Sequence, residues 1–268
     1  MTVVEFEIQK NVALVTLNRP EARNAISPEV VIRLAKIWEE VRNNDEIRVA
    51  ILTGEGDKAF SAGADLAKLV PLFSGGRTPE DDWDNAVMEN PKLINRSLLR
   101  SFDTEKPIIA AVNGHAIAGG LELVQGTDLR VSVPNALFGV QEVKRALFPA
   151  VGSTVRLPVQ LPYARAMELL LVGDLITAQD ALDWGLLNYV VSKNLLLEKA
   201  FELASKIASN GPLAVKAIRK SVRLCIGQTE EEGMRIETRH AAPIFKTEDA
   251  IEGPRAFMEK REPVYKGR

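Results

Sequence analysis

Short, uninterrupted apolar runs constrain this chain most, because they recur between segments with helical spacing. Residues 49–54 read Val-Ala-Ile-Leu-Thr-Gly, and residues 107–112 read Pro-Ile-Ile-Ala-Ala-Val. Runs of this length without polar alternation are typical of strands buried on both faces of a parallel sheet. Residues 128–133 repeat the pattern, and residues 136–140 do so more weakly. The first part of the chain is therefore predicted to be an α/β core with parallel strands.

The N-terminal part adds a hairpin and a helix to this core. Residues 3–9 and 12–17 are rich in Val, Ile, Leu and Phe and are separated by Lys10-Asn11, which predicts two antiparallel strands. Ser27-Pro28 predicts a helix start, because serine offers an N-cap oxygen and proline suits the first helical position. Apolar residues then recur at helical spacing as far as Val41.

Beyond about residue 150 the character of the chain changes, and helical patterns predominate. The predicted helices cover residues 162–172, 177–184, 195–209, 212–225, 229–244 and 247–260. Thr177 with Asp180 resembles a capping box, and Asn210-Gly211-Pro212 ends one helix and starts the next. The change of character falls between residues 190 and 212. We therefore predict an α/β core over residues 1–195 and an all-helical region over residues 196–268.

Residues 70–97 are the least regular part of the chain. Ser74-Gly75-Gly76-Arg77 and Pro79-Glu80-Asp81-Asp82 are typical of loops. A polar loop of this length inside a compact domain is either a lid or binding segment, or a mobile surface insertion. The sequence favours neither interpretation over the other.

Composition excludes several classes of function. The 268 residues carry a net charge of −2, whereas a nucleic-acid partner usually requires a basic face. One cysteine, Cys225, allows no internal disulfide, and with only His115 and His240 beside it a zinc site is not expected. The N-terminus does not resemble a signal peptide, and no apolar stretch is long enough to span a bilayer. We expect a soluble, cytoplasmic protein without a membrane partner.

Two turns of small residues are candidates for binding a negatively charged oxygen. Ala59–Leu66 follows the 49–53 strand, and Asn113–Leu123 follows the 107–112 strand; each precedes a predicted helix. Amides at a helix start have no intrahelical acceptor and are free to donate. Taken alone, such turns contain glycine for steric reasons just as readily. The first segment by itself therefore does not establish a site.

Two glutamates accompany these turns. Glu122 lies three residues after Gly119 on the first turn of a predicted helix, and it serves equally well there as a complement to the helix macrodipole. Glu142 follows the weak strand 136–140, and in isolation it is a solvated glutamate or the partner of Lys144 or Arg145. Neither residue indicates catalysis when it is considered singly.

Together, two amide-donating turns and two carboxylates form the set that thioester-enolate chemistry requires. Backbone donors stabilise the charge that develops on the thioester oxygen. One carboxylate can take a proton from water while the other delivers one to carbon, and repulsion between the two keeps one of them protonated near neutral pH. The fingerprints for dinucleotides, for phosphate loops and for serine-hydrolase elbows are all absent.

At these segments the chain resembles the enoyl-CoA hydratase (crotonase) family, along nearly its whole length. The matching blocks are Asn18-Arg19-Pro20 with Asn24-Ala25, Ala59–Leu66, Asn113–Leu123, Phe138-Gly139 with Glu142, Thr177-Ala178 with Ala181 and Gly185-Leu186, and Phe257-x-Glu259-Lys260-Arg261. The resemblance implies a spiral of repeated ββα units. It also implies an all-helical C-terminal region that builds a homotrimer or a dimer of trimers.

The resemblance also implies roles for individual residues. The amides of Ala64 and Gly119 would form an oxyanion hole, and Glu122 and Glu142 match the two catalytic glutamates of true hydratases. Contacts with the acyl-CoA substrate are implied for Arg23, Ala25, Ala62, Asp65, Leu66, Gly120 and, from a neighbouring subunit, Lys260. The coenzyme A is part of the substrate, and no further cofactor and no metal is expected.

The presence of both glutamates favours reversible hydration of a 2-enoyl-CoA to a 3-hydroxyacyl-CoA. The alternatives are a delta3-delta2-enoyl-CoA isomerase, a specialised hydroxyacyl-CoA dehydratase, and an acyl-CoA-binding protein without turnover. Three departures from the family pattern are visible: Gln141 stands where proline often precedes the second glutamate, and Ala146 and Ser153 replace common glycines. These changes are predicted to tighten the pocket around the acyl group.

Overall fold

The computed structural model describes residues 2–268, in which the strands form two sheets. The strands are β1 (Val4–Gln9), β2 (Val12–Leu17), β3 (Val49–Gly54), β4 (Ala59–Ser61), β5 (Ile108–Val112), β6 (His115–Ile117), β7 (Leu129–Ser132), β8 (Leu137–Gly139), β9 (Ile176–Thr177) and β10 (Tyr189–Val190). The larger sheet has the order β1-β2-β3-β5-β7-β10, and the smaller one has the order β4-β6-β8-β9. The predicted hairpin is confirmed as the antiparallel pair β1–β2, and the larger sheet continues from it in parallel.

Helices cover both sheets and extend to the C-terminus. They are α1 (Pro28–Asn43), α2 (Val70–Ser74), α3 (Asp82–Glu89), α4 (Lys92–Ser97), α5 (Gly119–Gln125), α6 (Ser153–Gln160), α7 (Tyr163–Val172), α8 (Ala178–Asp183), α9 (Leu196–Ala208), α10 (Pro212–Cys225), α11 (Glu230–Ile244) and α12 (Glu248–Met258). Short 3-10 turns cover Pro20–Ala22, Glu142–Arg145 and Lys193–Leu195. None of the helices within residues 2–268 is both long and apolar enough to cross a bilayer.

The strands alternate between the two sheets, which gives the repeated ββα pattern expected of the fold. β3, β5 and β7 each enter the larger sheet, and the strand that follows each of them enters the smaller sheet. Every residue of β3 and β5 is buried, as their uninterrupted apolar sequences predicted. The turns that leave β4, β6 and β8 consequently meet at one place, where the candidate site lies.

Helix α1 begins where the sequence predicted it. The Ser27 side chain accepts a hydrogen bond from the Val30 amide, and Pro28 occupies the first helical position. The fully buried indole of Trp38 donates to the Ser97 carbonyl oxygen at 2.9 Å. This bond satisfies the polar end of the largest buried side chain and fixes α4 against α1.

The prediction of a loop over residues 70–97 is wrong, because this segment contains α2, α3 and α4. Asp81 caps α3 by accepting from the Asp84 amide at 2.8 Å. The Arg77 guanidinium binds both oxygens of the buried Asp84 carboxylate and also the Lys68 carbonyl. These contacts tie the segment to the core. The helix propensity of the individual residues did not reveal these helices, because they are short and are stabilised by tertiary contacts.

The C-terminal helices are confirmed close to their predicted bounds, including the Thr177–Asp180 capping box. Helix α9 packs on β3 and β5 through buried alanines, Ala200 and Ala204. Helices α10 and α11 pack against each other. The helical layer over the larger sheet therefore continues past residue 195, whereas α10 to α12 leave much of their apolar surface exposed.

Candidate active site

A cavity of about 520 Å³ opens where the turns after β4, β6 and β8 meet. The structure brings six of the predicted site residues to its wall: Ala62, Ala64, Leu66, Gly119, Glu122 and Glu142. The other five, Arg23, Ala25, Asp65, Gly120 and Lys260, do not line it. Among residues 2–268 no group of three or more His, Cys, Asp or Glu side chains is arranged to hold a metal ion.

Two backbone amides face this cavity from neighbouring turns. A methyl group built on Gly119 would lie 3.6 Å from the Ala64 nitrogen, so the two amides lie side by side. Gly119 is the first residue of α5 and has no intrahelical acceptor. Within the described chain neither amide donates a hydrogen bond to a backbone acceptor. Both are therefore free to donate to one oxygen of a ligand.

Close packing of β4 against α5 sets the distance between these amides. A Cβ on Gly120 would meet the Ser61 carbonyl oxygen at 2.2 Å, so only glycine allows this approach. Ala118, just before α5, has a φ of 53° and a ψ of −126°, a conformation that costs a residue with a side chain about 1–3 kcal/mol. Its amide donates to the Gly139 carbonyl at 2.8 Å, which helps to hold the turn.

Asp65 holds the turn that carries the Ala64 amide. One carboxylate oxygen accepts from the amides of Ala67 and Lys68, each at 3.0 Å, and the other accepts from the Arg19 guanidinium at 3.0 Å. Burial acts to raise the pKa of Asp65, but these hydrogen bonds outweigh it and leave the pKa below its ordinary value. The carboxylate is thus fully engaged by the protein.

The predicted coenzyme A segments are brought together around this carboxylate. The Arg19 guanidinium also donates to the Ala25 carbonyl at 2.6 Å, and the Ala62 amide donates to the Arg23 carbonyl at 3.0 Å. The side chain of Arg23 is exposed on the outer side of this contact. By contrast, Lys260 follows α12, is exposed and has no contact with the cavity of its own chain.

Glu122 is buried on the first turn of α5, with a side-chain oxygen held by two amides. Its Oε1 accepts from Val151 at 2.9 Å and from Ser153 at 3.1 Å. Burial raises the pKa of this carboxyl and outweighs the opposing effect of those hydrogen bonds. The second oxygen, Oε2, is left for contact with a ligand or water in the cavity.

Glu142 opens a 3-10 turn on the facing wall of the cavity. Its Oε2 is buried and has no hydrogen-bond partner among residues 2–268. Burial, and then repulsion from Glu122, raise the pKa of Glu142 to about 7. The alternative that pairs it with Lys144 or Arg145 is wrong, because Lys144 binds Asp174 and Arg145 is not in ion-pair contact with it. The two carboxyls lie close enough that a negative charge on Glu122 disfavours ionisation of Glu142.

The wall beside the glutamates is apolar and contains residues that the sequence did not single out. Phe73, Ile94 and Leu98 come from the segment 70–98, and Leu147 and Phe148 come from the turn after Glu142. The segment therefore contributes side chains to the wall of the cavity. The apolar character of these five residues did not mark them as site residues in the sequence, since apolar residues at such spacing usually belong to the core.

Of the three departures from the family pattern, only Gln141 lines the cavity. Ala146 and Ser153 do not line the cavity, so the prediction that they tighten the acyl pocket is wrong. Ala146 is exposed on a left-handed turn with φ of 53°. Ser153 contacts Glu122, because its amide donates to Oε1 at 3.1 Å, and its hydroxyl accepts from Gln125 at 3.0 Å. His115 is the first residue of β6, and its Nδ1 accepts from the Leu137 amide at 3.1 Å.

Comparison with known proteins places the whole chain among acyl-CoA enzymes. Residues 7–268 match the family model described as enoyl-CoA hydratase/isomerase. The chain is 45% identical over 255 residues to enoyl-CoA hydratase EchA19 of Mycobacterium tuberculosis, across 95% of this chain and 93% of that protein. It is 40% identical to carnitinyl-CoA dehydratase of Citrobacter koseri, across 95% and 94% of the two chains. The crystal structure of enoyl-CoA hydratase EchA1 from Mycobacterium marinum superposes with a TM-score of 0.88 at 36% identity, covering 100% of both chains.

Proposed function

The chain belongs to the enoyl-CoA hydratase/isomerase family, and we propose that it is a hydro-lyase that reversibly adds water to a 2-enoyl-CoA to give a 3-hydroxyacyl-CoA. One observation carries the proposal: Glu122 and Glu142 line the same cavity as two unengaged amides. A buried carboxyl with a pKa of about 7 beside a second carboxyl suits proton transfer in both directions.

The amides of Ala64 and Gly119 serve as the oxyanion hole. When water attacks the β-carbon, the π electrons of the double bond move toward the thioester and negative charge collects on its oxygen. Two donors already in position stabilise that charge without rearranging. Removing one such donor from an oxyanion hole typically costs about 10²–10³-fold in kcat.

The glutamates divide the proton transfers. Glu122 takes a proton from the water as its oxygen bonds to the β-carbon, and Glu142 gives a proton to the α-carbon as the enolate collapses. After one turnover Glu122 carries a proton and Glu142 has lost one, so a proton must pass from the first to the second to restore the pair. Dehydration runs through the same steps in reverse.

This pair predicts the same pH dependence for the two directions. Hydration uses ionised Glu122 with protonated Glu142, and dehydration uses the same single proton on Glu122 instead. The overall reaction neither takes up nor releases a proton, so the two pH profiles of kcat/KM must run parallel. Both values should fall as the pH rises above the pKa of about 7, because the pair then loses that proton. Initial rates from pH 5 to 9 with an enoyl-CoA and with the matching 3-hydroxyacyl-CoA provide the measurement. A kcat/KM for hydration that stayed constant between pH 7 and 9 would contradict the assigned roles.

A turnover panel tests the reaction itself. The enzyme is incubated with 2-enoyl-CoA and 3-enoyl-CoA thioesters of several chain lengths, and the products are identified by mass and chromatography. Hydration predicts 3-hydroxyacyl-CoA from the 2-enoyl substrates. Conversion of 3-enoyl into 2-enoyl thioesters without hydration would identify an isomerase instead. Tight binding without product from any thioester would identify a binding protein.

Asp65→Asn tests whether the ion pair with Arg19 positions the Ala64 amide. The asparagine oxygen still accepts from Ala67 and Lys68, but its NH₂ group then faces the Arg19 guanidinium, donor against donor. We expect kcat to fall about tenfold with little change in KM, because the donor shifts by a fraction of an ångström. Asp57→Asn is the control, since its pair with Lys193 is exposed. Equal kinetics for both variants would exclude the positioning role.

The C-terminal helices support self-association into a homotrimer or a dimer of trimers. Phe245, Phe257 and Met258 are each about four-fifths exposed, which is costly for a monomer in water. In such an assembly Lys260, which follows α12, would reach a neighbouring subunit. Sedimentation equilibrium at several protein concentrations measures the assembly directly, and a monomer throughout would exclude it.

A further inference from the structure

Arg145 is the one cationic side chain on the wall of the catalytic cavity, as far as residues 2–268 define that wall. The other ionisable residues there are Glu122 and Glu142. A substrate with a carboxylate on its acyl group would therefore meet two acidic groups and a single guanidinium. Binding of such a substrate therefore depends on the positive charge of Arg145.

The guanidinium is not committed to another part of the protein. Its hydrogen bond is a long one, 3.4 Å, from Nη1 to the Gln141 carbonyl oxygen, and no carboxylate of the described chain lies within ion-pair distance. The adjacent Lys144 provides a contrast, because its ammonium is paired with Asp174 outside the cavity. Arginine also suits a carboxylate better than lysine does, since its planar fork can donate two parallel hydrogen bonds.

The 3-10 turn places Arg145 beyond Glu142 on the same side. Such a turn has three residues per turn, so side chains at positions i and i+3 project from one face. Glu142 and Arg145 are the first and last residues of this turn, and both line the cavity. The rise of about 2 Å per residue separates them by about 6 Å along the turn. A group bound by Arg145 therefore lies about one turn away from the carbon that Glu142 would protonate.

We propose that Arg145 binds a carboxylate at the far end of the acyl group, so that the substrates are 2-enoyl-CoA thioesters of dicarboxylic acids. The proposal rests on the proposed function for the reaction, but the binding of the carboxylate is a separate property. Gln141, which also lines the cavity, adds an amide donor close to the same place. The apolar side chains of Leu147 and Phe148 flank the methylene groups between the two ends.

Paired ligands of equal length test the proposal. Dissociation constants are measured by calorimetry for adipoyl-CoA and hexanoyl-CoA, which are saturated and therefore cannot be hydrated. Values of kcat/KM are measured for 2-hexenedioyl-CoA and 2-hexenoyl-CoA. Each ratio is determined for the wild type, for Arg145→Leu and for Lys144→Met, the matched removal of a neighbouring cation. Ratios cancel any general effect of Arg145 on the acidity of Glu142.

The wild type is expected to favour the dicarboxylic ligand about tenfold in both ratios, as is usual for a charge-assisted hydrogen bond. Arg145→Leu should abolish or reverse that preference, because the two glutamates then repel the ligand carboxylate, whereas Lys144→Met should retain it. Equal or tighter binding of hexanoyl-CoA by the wild type would overturn the proposal. So would an equal weakening of both ligands by Arg145→Leu, which would place the guanidinium on the coenzyme A part. If the dicarboxylic ligand bound about tenfold more tightly, as expected, but no thioester were hydrated, only the proposed function would be rejected and the carboxylate site would be retained.

Discussion

Glu122→Gln and Glu142→Gln should each lower kcat for hydration by about 10²–10⁴-fold, the usual contribution of a general acid or base. Glutamine has almost the same shape as glutamate but cannot exchange the proton. In Glu122→Gln the side-chain oxygen can still accept from Val151 and Ser153, so the fold should be unaffected. In Glu142→Gln a buried carboxyl that ionises reluctantly is replaced by a neutral group.

The measurement pairs initial rates with thermal unfolding. Both variants should unfold within a few degrees of the wild type, so that the loss of activity reports chemistry. Glu89→Gln, at the exposed end of α3, is the matched control and should retain full turnover. The double variant should lose little more than the worse single one, since both groups act in one reaction. Near wild-type rates in either single variant would reject the acid–base pair.

Gly120→Ala is expected to be the most damaging single-methyl change in the site. Its Cβ would lie 2.2 Å from the Ser61 oxygen and 2.9 Å from the Ser61 carbonyl carbon, and both atoms belong to the backbone. The strand end and the helix must therefore separate. Overpacking of this kind typically costs about 1–3 kcal/mol of the free energy of unfolding, and more where rigid backbone is involved. The separation also moves the Gly119 amide away from Ala64 and should reduce turnover by at least about 10²-fold.

Chemical denaturation and kinetics on the same preparation measure both effects. Gly233→Ala is the control, because the new methyl group on α11 would meet only the Cys225 sulfur at 3.8 Å. A helix-interior glycine replaced by alanine should gain about 0.5–1 kcal/mol. If Gly120→Ala proved as stable and as active as the wild type, the tight contact between β4 and α5 could not be what sets the oxyanion hole.

The sequence predicted the fold where the physical signal is local. The hairpin, the buried strands β3 and β5, and the capped C-terminal helices all follow from apolar periodicity and capping residues. Strands β4 and β6 have only three residues each, too few for a period to show, and β8, which is equally short, gave only the weak signal over residues 136–140. The segment 70–97 was misjudged because its helices depend on the bond from Arg77 to a buried Asp84 and on packing against α1.

The same distinction between local and tertiary signals applies to the site. The small-residue turns and the two glutamates are recognisable in the sequence, but only the resemblance to the family singled out Ala64, Gly119, Glu122 and Glu142. The sequence predicted that one of the two carboxyls stays protonated near neutral pH. It did not identify Glu142 as the one with the raised pKa, since burial is the largest cause of that shift. The orientation of Arg145 and the contribution of Phe148 were not predictable either, because both depend on how the turn after Glu142 is folded.

The alternation of strands between two sheets has a consequence for how such an enzyme can evolve. Each reactive group lies in a turn or on the first turn of a helix, whereas the strands that connect these places contain none of them. A mutation at Glu142 therefore alters the chemistry while the hydrogen bonds of both sheets are preserved. Substitution of a few turn residues can therefore change the reaction that is catalysed, and the fold is retained in each intermediate variant.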